Sequence, residues 1–196
     1  MTAAELEATA KRFPGAQGPV TALAGLSASV AAGQVTGVVG ADGAGKTTLL
    51  RLLAGLLRPE DGTVRVLGRD PAGGDPALRD RIGYMPQRFG LYEELTVAEN
   101  LRLYADLHGL PGAGRAEHFD RLMAFAGLSA FGDRRAGRLS GGMKQKLGLA
   151  CTLVQPPAVL LLDEPTVGVD PVSRRELWAI IYELVERGMS VVVSTA

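Results

Sequence analysis

The residues best suited to chemistry gather around Lys46. In VTGVVGADGAGKTTLL, Gly40, Gly45, Lys46 and Thr47 carry the spacing G-x-x-x-x-G-K-T, directly after the apolar run at 35–39 and directly before a leucine-rich segment. Gly40, Gly43 and Gly45, with Asp42 and Ala44 between them, let the backbone turn tightly enough to aim successive N–H groups at phosphate oxygens. The positive end of the following helix adds to that pull, and Thr48 lies in its first turn. Lys46 would supply a point charge at the β- and γ-phosphates, and the Thr47 hydroxyl suits Mg²⁺. The plainer reading is a glycine-rich turn with an exposed lysine. Asp42 sits oddly in a site for anions.

A second group follows the apolar run AVLLL at 158–162, where Leu162 leads into Asp163, Glu164 and Pro165. Two adjacent carboxylates at the end of a buried strand belong at the C-terminal edge of a parallel sheet, where ligands of open α/β sheets bind. Beside a phosphate loop, Asp163 would hold Mg²⁺ and Glu164 would accept the proton of a water attacking the γ-phosphate. Alone, the same turn would be a solvated strand end. A third group is LSGGMKQ at 139–145: Ser140 is placed to cap a helix whose first N–H groups Gly141 and Gly142 expose, a second device for anions or simply a helix start. Gln87 in MPQ and Asp170 before Pro171 are bland singly, an exposed glutamine and a helix cap.

These residues need elements to hold them. VTGVV (35–39), AVLLL (158–162) and SVVV (190–193) are continuously apolar, the pattern of parallel strands buried on both faces. Alternation at 5–10 and 64–67 suits edge or half-buried strands. KTTLLRLLAGLL reads as a helix with Leu49, Leu52, Leu53 and Leu56 on one face. Thr96 and Glu99 form a capping-box pattern; Leu147, Cys151 and Val154 make a stripe that Pro156 and Pro157 terminate; and Asp170–Pro171 opens a helix running through Leu177, Ile181 and Leu184 to Gly188. The expectation is a parallel α/β core with a helical insert.

Composition narrows the partners. The chain has 196 residues, suited to one domain, with 46% hydrophobic and 21% charged residues, which argues against disorder. Lys plus Arg total 21 and Asp plus Glu total 21, so no net charge draws the molecule to nucleic acid, and none is expected as a partner. The lone Cys151 excludes an internal disulfide and a cysteine zinc site, fits a reducing compartment, and reads as small core filler. No apolar run approaches the ~20 residues of a membrane span, and the N-terminus lacks a signal-like core, so a cytoplasmic location is the default. His108 and His118 read as solvated or packing residues.

GADGAGKTT, MPQ, LSGGM, LLLDEP and GVD occur in the order and approximate spacing of an ABC-type ATPase, and the resemblance covers nearly the whole chain. GLYEELTVAENL and LSGGMKQKLGLACTLV resemble most the first cassette of bacterial tandem drug-exporter and ribosome-associated ABC ATPases. The resemblance implies a P-loop NTPase parallel-sheet core with N-terminal antiparallel β strands and an α-helical insert. Residues 1–87 and 156–196 would form the RecA-like core with its β subdomain, and about 88–155 the helical subdomain. It implies ATP and Mg²⁺ as ligands and a head-to-tail dimer, in which Ser140, Gly141 and Gly142 act on the partner cassette's nucleotide. Gln87 would touch Mg²⁺ and the attacking water and report to membrane-spanning permease subunits, which would hold the cassette on the inner face of the plasma membrane. Asp170 would lie across the dimer seam. Phe13 matches the adenine-stacking aromatic, with core packing as an equal alternative.

Departures from the family pattern matter too. Ala196 stands at or beside the position of a histidine that contacts the γ-phosphate, which implies either a weakened hydrolytic site or reliance on Glu164 alone. Met143 and Asp42 replace a common glutamine and asparagine. The family fold continues beyond this last strand, so its C-terminal part is expected to be missing. The functions implied are a transport-coupled ATPase, a nucleotide-binding regulatory cassette, or a soluble ATPase acting on a ribosome. In the first, Phe89, Leu91, Tyr92 and the helix from Thr96 would face the permease; otherwise these side chains simply cover the core.

Overall fold

Alternating and continuous apolar runs fold into two different kinds of sheet. The computed structural model describes residues 1–16, 18–88 and 90–196. They divide into a first unit of Met1–Pro86, Pro157–Pro165 and Leu184–Ala196, and a second of Gln87–Pro156 and Thr166–Glu183. Residues 166–183, read from the sequence as part of the core, thus group with the helical segment.

In the first unit, strand β1 (Thr2–Phe13) pairs antiparallel with β2 (Val20–Ala31) on one side and β4 (Asp61–Val66) on the other. The 5–10 alternation belongs to β1 and holds over Glu5, Leu6 and Glu7, with Leu6 buried and both glutamates facing solvent; at Ala8 (φ 44°) the register shifts, and Thr9 and Ala10 are both buried. β2 has no comparable sequence signal, because its Ala, Ser and Gly content is weakly strand-forming.

The second sheet is parallel, in the order β3-β7-β6-β5, formed by β3 (Val35–Val39), β5 (Ile82–Met85), β6 (Val159–Leu162) and β7 (Ser190–Thr195). β6 and β7 are central and buried on both faces, as continuous apolar runs require. β3 departs from that expectation. It has one neighbour, β7, and is only half-buried, with Val39 74% exposed.

Helix α1 (Lys46–Leu53) follows β3, and Leu49, Leu50, Leu52 and Leu53 join Val64 and Val66 of β4, Val159 and Leu161 of β6 and Val192 of β7 in one apolar cluster. The helix is shorter than its leucine pattern suggests. It stops at Leu53, which leaves Leu56 outside it and 61% exposed, contrary to the expected four-leucine face. The short α2 (Pro76–Arg79) connects β4 to β5.

The second unit contains α3 (Val97–Leu107), α4 (Arg115–Phe125), α5 (Gly141–Thr152) and most of α6 (Pro171–Glu186), with 3-10 turns at Ser129–Phe131 and Ala136–Arg138. The capping box at Thr96 forms: its hydroxyl accepts from Glu99 N–H and Glu99 accepts from Thr96 N–H. Leu147, Cys151 and Val154 are buried, as are Leu177 and Ile181 of α6. His118 approaches the Val154 carbonyl at 2.8 Å, and His108 is exposed to solvent.

Candidate functional site

Parallel register brings the ends of the strands to one edge. Val39 stands beside Thr195, Leu162 beside Val193, and Met85 beside Leu162. The chain continues that alignment past the strands: Gly40 N–H donates to the Thr195 carbonyl (3.3 Å) and Asp163 N–H to the Met85 carbonyl (2.9 Å). The loop 40–45 and the acidic pair therefore leave the same end of the sheet, on either side of β7, at the edge where open α/β folds bind ligands.

The loop is shaped around Lys46. Gly45 precedes α1 in the left-handed region (φ 88°), where a Cβ would stand 2.4 Å from the Ala22 carbonyl oxygen, so only glycine fits. No side chain caps α1 and no acid lies in its first turn, so its opening N–H groups are left for something other than the helix to satisfy. Lys46, only 6% exposed, turns its ammonium back over the loop, donating to the carbonyls of Gly40 (2.6 Å) and Ala41 (3.1 Å) and pairing with Glu164 Oε1 at 3.2 Å. A buried ammonium needs compensation of this kind, and phosphate oxygens would compensate it as well. Thr47 and Thr48 are half-buried in the first turn of α1, while Asp42, Gly43 and Ala44 are exposed on the loop.

Both carboxylates are buried, and both are held. Asp163 Oδ1 accepts from the Ser194 hydroxyl at 2.7 Å, and its Oδ2 faces the Tyr84 hydroxyl at 3.4 Å. Glu164 adopts φ 49°, a conformation costly for a residue with a side chain, and its N–H donates to Ser194 Oγ at 2.9 Å. Burial pushes the Tyr84 phenol above its usual pKa; Arg51 opposes that, and the Asp163 carboxylate reinforces it. Ser194 and Tyr84 were not among the residues singled out from the sequence. The available signal was a hydroxyl residue at the end of the buried run SVVV, where polarity is unexpected.

Among the described residues no group of three or more His, Cys, Asp or Glu side chains could hold an ion. One buried carboxylate and a threonine hydroxyl form the donor set appropriate to Mg²⁺, which takes one or two protein ligands and fills its shell with phosphate and water. Asp163 and Thr47 are side chains of those two kinds, and would be the residues to hold such an ion.

The remaining predicted residues lie elsewhere. Phe13 ends β1 half-buried, with the Lys11 ammonium 5.6 Å from its ring centre. Gln87 follows β5 by two residues and is exposed. In the second unit Ser140 caps α5 through Met143 N–H (3.3 Å). Asp170 caps α6 through the N–H groups of Val172 and Ser173, which hold its carboxyl below the usual range, Ser173 foremost. Gly142 corrects the sequence reading. It is buried rather than exposing its N–H, and a Cβ there would meet Ser173 Cβ at 2.3 Å. Its glycine is needed for close approach of α5 and α6; Gly141 alone is exposed. Tyr92 is 52% exposed while its backbone is fastened to the buried Asn100, so it does not cover the core. Leu91 is half-buried, and Phe89 lies outside the described residues.

Comparison with known proteins agrees with this geometry. The chain is 60% identical over 186 residues to the "Probable multidrug ABC transporter ATP-binding protein YbhF" of Escherichia coli strain K12, covering 95% of this chain and 32% of that protein. It is 42% identical over 198 residues to the "Methionine import ATP-binding protein MetN 2" of Burkholderia mallei, covering 98% and 50%. The chain thus spans a third to a half of the length of these relatives. Among solved structures it superposes on a nucleotide-free ATP-binding cassette from an ABC transporter with a TM-score of 0.87 and 27% identity, covering 100% of this chain and 82% of that one. It matches the dimeric post-hydrolysis state of the cassette MJ0796 bound to ADP and Pi equally well, with a TM-score of 0.87 and 26% identity over 98% and 87%. The family model described as "ABC transporter" matches residues 23–167, more than half of the chain, and the protein belongs to that family as an ATP-binding cassette.

Proposed function

We propose that this cassette binds ATP with Mg²⁺ and hydrolyses it to drive a membrane exporter. The observation that carries the reading is the buried Lys46–Glu164 pair (3.2 Å) inside the glycine loop, with Asp163 adjacent in sequence. In this arrangement the phosphate-seeking cation and the proposed base neutralise each other. An incoming γ-phosphate competes with Glu164 for Lys46, so binding frees the carboxylate to take the proton of the attacking water. The first N–H groups of α1 and the loop backbone orient the phosphates, while Thr47 and Asp163 hold Mg²⁺ with Gln87 near it. That ion, when bound, neutralises charge on the β- and γ-phosphates. Phe13 stacks on the adenine.

Ser140 and the exposed Gly141 serve the nucleotide of a second cassette arranged head to tail, with Asp170 at the seam. The dimeric MJ0796 cassette supports dimerisation. Among the described residues no helix is long and apolar enough to cross a membrane. Membership of the ABC transporter family favours permease subunits as partners, with the cassette at the cytoplasmic face. Exposed Tyr92 and the helix from Thr96 form the surface offered to them. Similarity to YbhF favours drug export, and the MetN 2 match shows that related cassettes serve import.

Steady-state ATPase of the chain beside Glu164→Gln tests the reading. Loss of turnover with retained or tighter ATP binding is expected, because the variant removes both the base and the competitor for Lys46. Equal rates would favour a second reading, a regulatory cassette that binds without turnover, for which Ala196, at or beside the position of the family's histidine, is the specific observation.

A further inference from the structure

We propose that Ser194 is a positioning residue that orients both carboxylates of the site through a single hydroxyl; the inference rests on the function proposed above. Ser194 is 0% exposed at the end of β7 and touches Asp163 and Glu164 at once. The direction of its two bonds is forced. The Glu164 N–H can only donate, so at 2.9 Å the hydroxyl oxygen must accept from it. The hydroxyl proton is then left for Asp163 Oδ1 at 2.7 Å.

Two consequences follow from that polarity. Asp163 has one oxygen committed, which fixes the plane of the carboxylate and presents Oδ2 as the oxygen available to a cation; its other neighbour, the Tyr84 hydroxyl, is at the long distance of 3.4 Å. Glu164 is held by its N–H in the φ 49° turn from which its side chain reaches Lys46. An alanine at 194 leaves both a buried carboxylate oxygen and a buried N–H without this partner. The hydroxyl thereby ties the metal-binding carboxylate to the proposed base, so neither can be re-aimed without disturbing the other.

The test uses calorimetric ATP titrations with and without Mg²⁺, together with steady-state hydrolysis and thermal midpoints, on the chain, Ser194→Ala, Ser194→Thr and Ser194→Ala combined with Asp163→Asn. Ser194→Ala is expected to leave metal-free ATP affinity within about twofold, to lower the Mg²⁺-dependent gain in affinity about tenfold, and to lower kcat by at least as much. Ser194→Thr, which restores the hydroxyl, recovers part of both. In the Asp163→Asn background Ser194→Ala has no further effect on the Mg²⁺ gain. Should Ser194→Ala fail to fold, Ser194→Cys keeps the volume with a weak donor and is expected to show the same pattern. A wild-type Mg²⁺ gain and kcat in Ser194→Ala or Ser194→Cys overturns the inference and leaves the function standing. An equal loss of metal-free and Mg²⁺-dependent affinity overturns it too, because general loosening would explain both. A parent chain that binds no ATP overturns the proposed function, and this inference with it.

Discussion

Helices α1 and α3 begin in opposite ways. α3 completes its own N-terminus: Thr96 and Glu99 exchange side-chain-to-backbone bonds of 3.1 and 2.8 Å, so the start is satisfied without help. α1 begins on Gly45 with no side-chain cap and no acid in its first turn. An uncapped start is not distinctive in itself, because α4 also begins on a left-handed glycine, Gly114, though with Glu117 in its first turn. What sets α1 apart is Lys46, which is nearly buried and held, among the described residues, by two loop carbonyls and a carboxylate on a strained backbone. A helix start that serves the fold is finished with residues of its own; one that serves a ligand is left open beside a charge that can change partners.

The comparison breaks most visibly at Lys46. Lys46→Met should weaken ATP binding about a hundredfold, since it deletes a charge-assisted partner of the phosphates. It should also lower the thermal midpoint, because Glu164 is left buried without its cation. Adding Glu164→Gln to that variant should recover the midpoint and not the affinity, which separates the two roles of the lysine by calorimetry and melting. Next comes Gly45→Ala. Its Cβ meets the Ala22 carbonyl oxygen at 2.4 Å in a conformation that disfavours side chains, and a loss of about 1–3 kcal/mol in denaturant unfolding is expected. At α3 the effect is smaller and confined to stability. Thr96→Ala should cost about 1 kcal/mol while leaving ATP affinity unchanged, and a change in affinity would erase the distinction between the two helix starts.

Much of this arrangement is legible in the chain itself. Gly45, Lys46 and Thr47 declare the loop by spacing, Asp163 and Glu164 stand out as charges after an apolar run, and Thr96 with Glu99 announces a helix start. Each of these signals is local. What escaped is set by distant neighbours. Gly142 resembles any glycine at a helix start until Ser173 arrives against it from α6. Ser194 is an ordinary strand serine until β6 places both carboxylates beside its hydroxyl. A sequence records which groups carry chemistry more readily than which group holds them in aim.

The finest test of the comparison is acid titration of the α3 cap. Glu99 is held below its ordinary value of 4.5, first by the Thr96 N–H and then by the Thr96 hydroxyl, because both bonds favour the charged carboxylate. Between the depressed native value and 4.5 the unfolded chain binds more protons than the folded one, so stability rises with pH across that window. The contribution is complete above 4.5 and disappears as pH falls through the native value. Glu99→Gln keeps an acceptor for the Thr96 N–H but removes the titration. Its thermal midpoint should therefore lie slightly below that of the parent at neutral pH and converge with it on acidification. Because Glu99 is exposed, the gap should shrink in high salt. A gap that persists below the native value would show that Glu99 supports α3 by packing rather than by its charge.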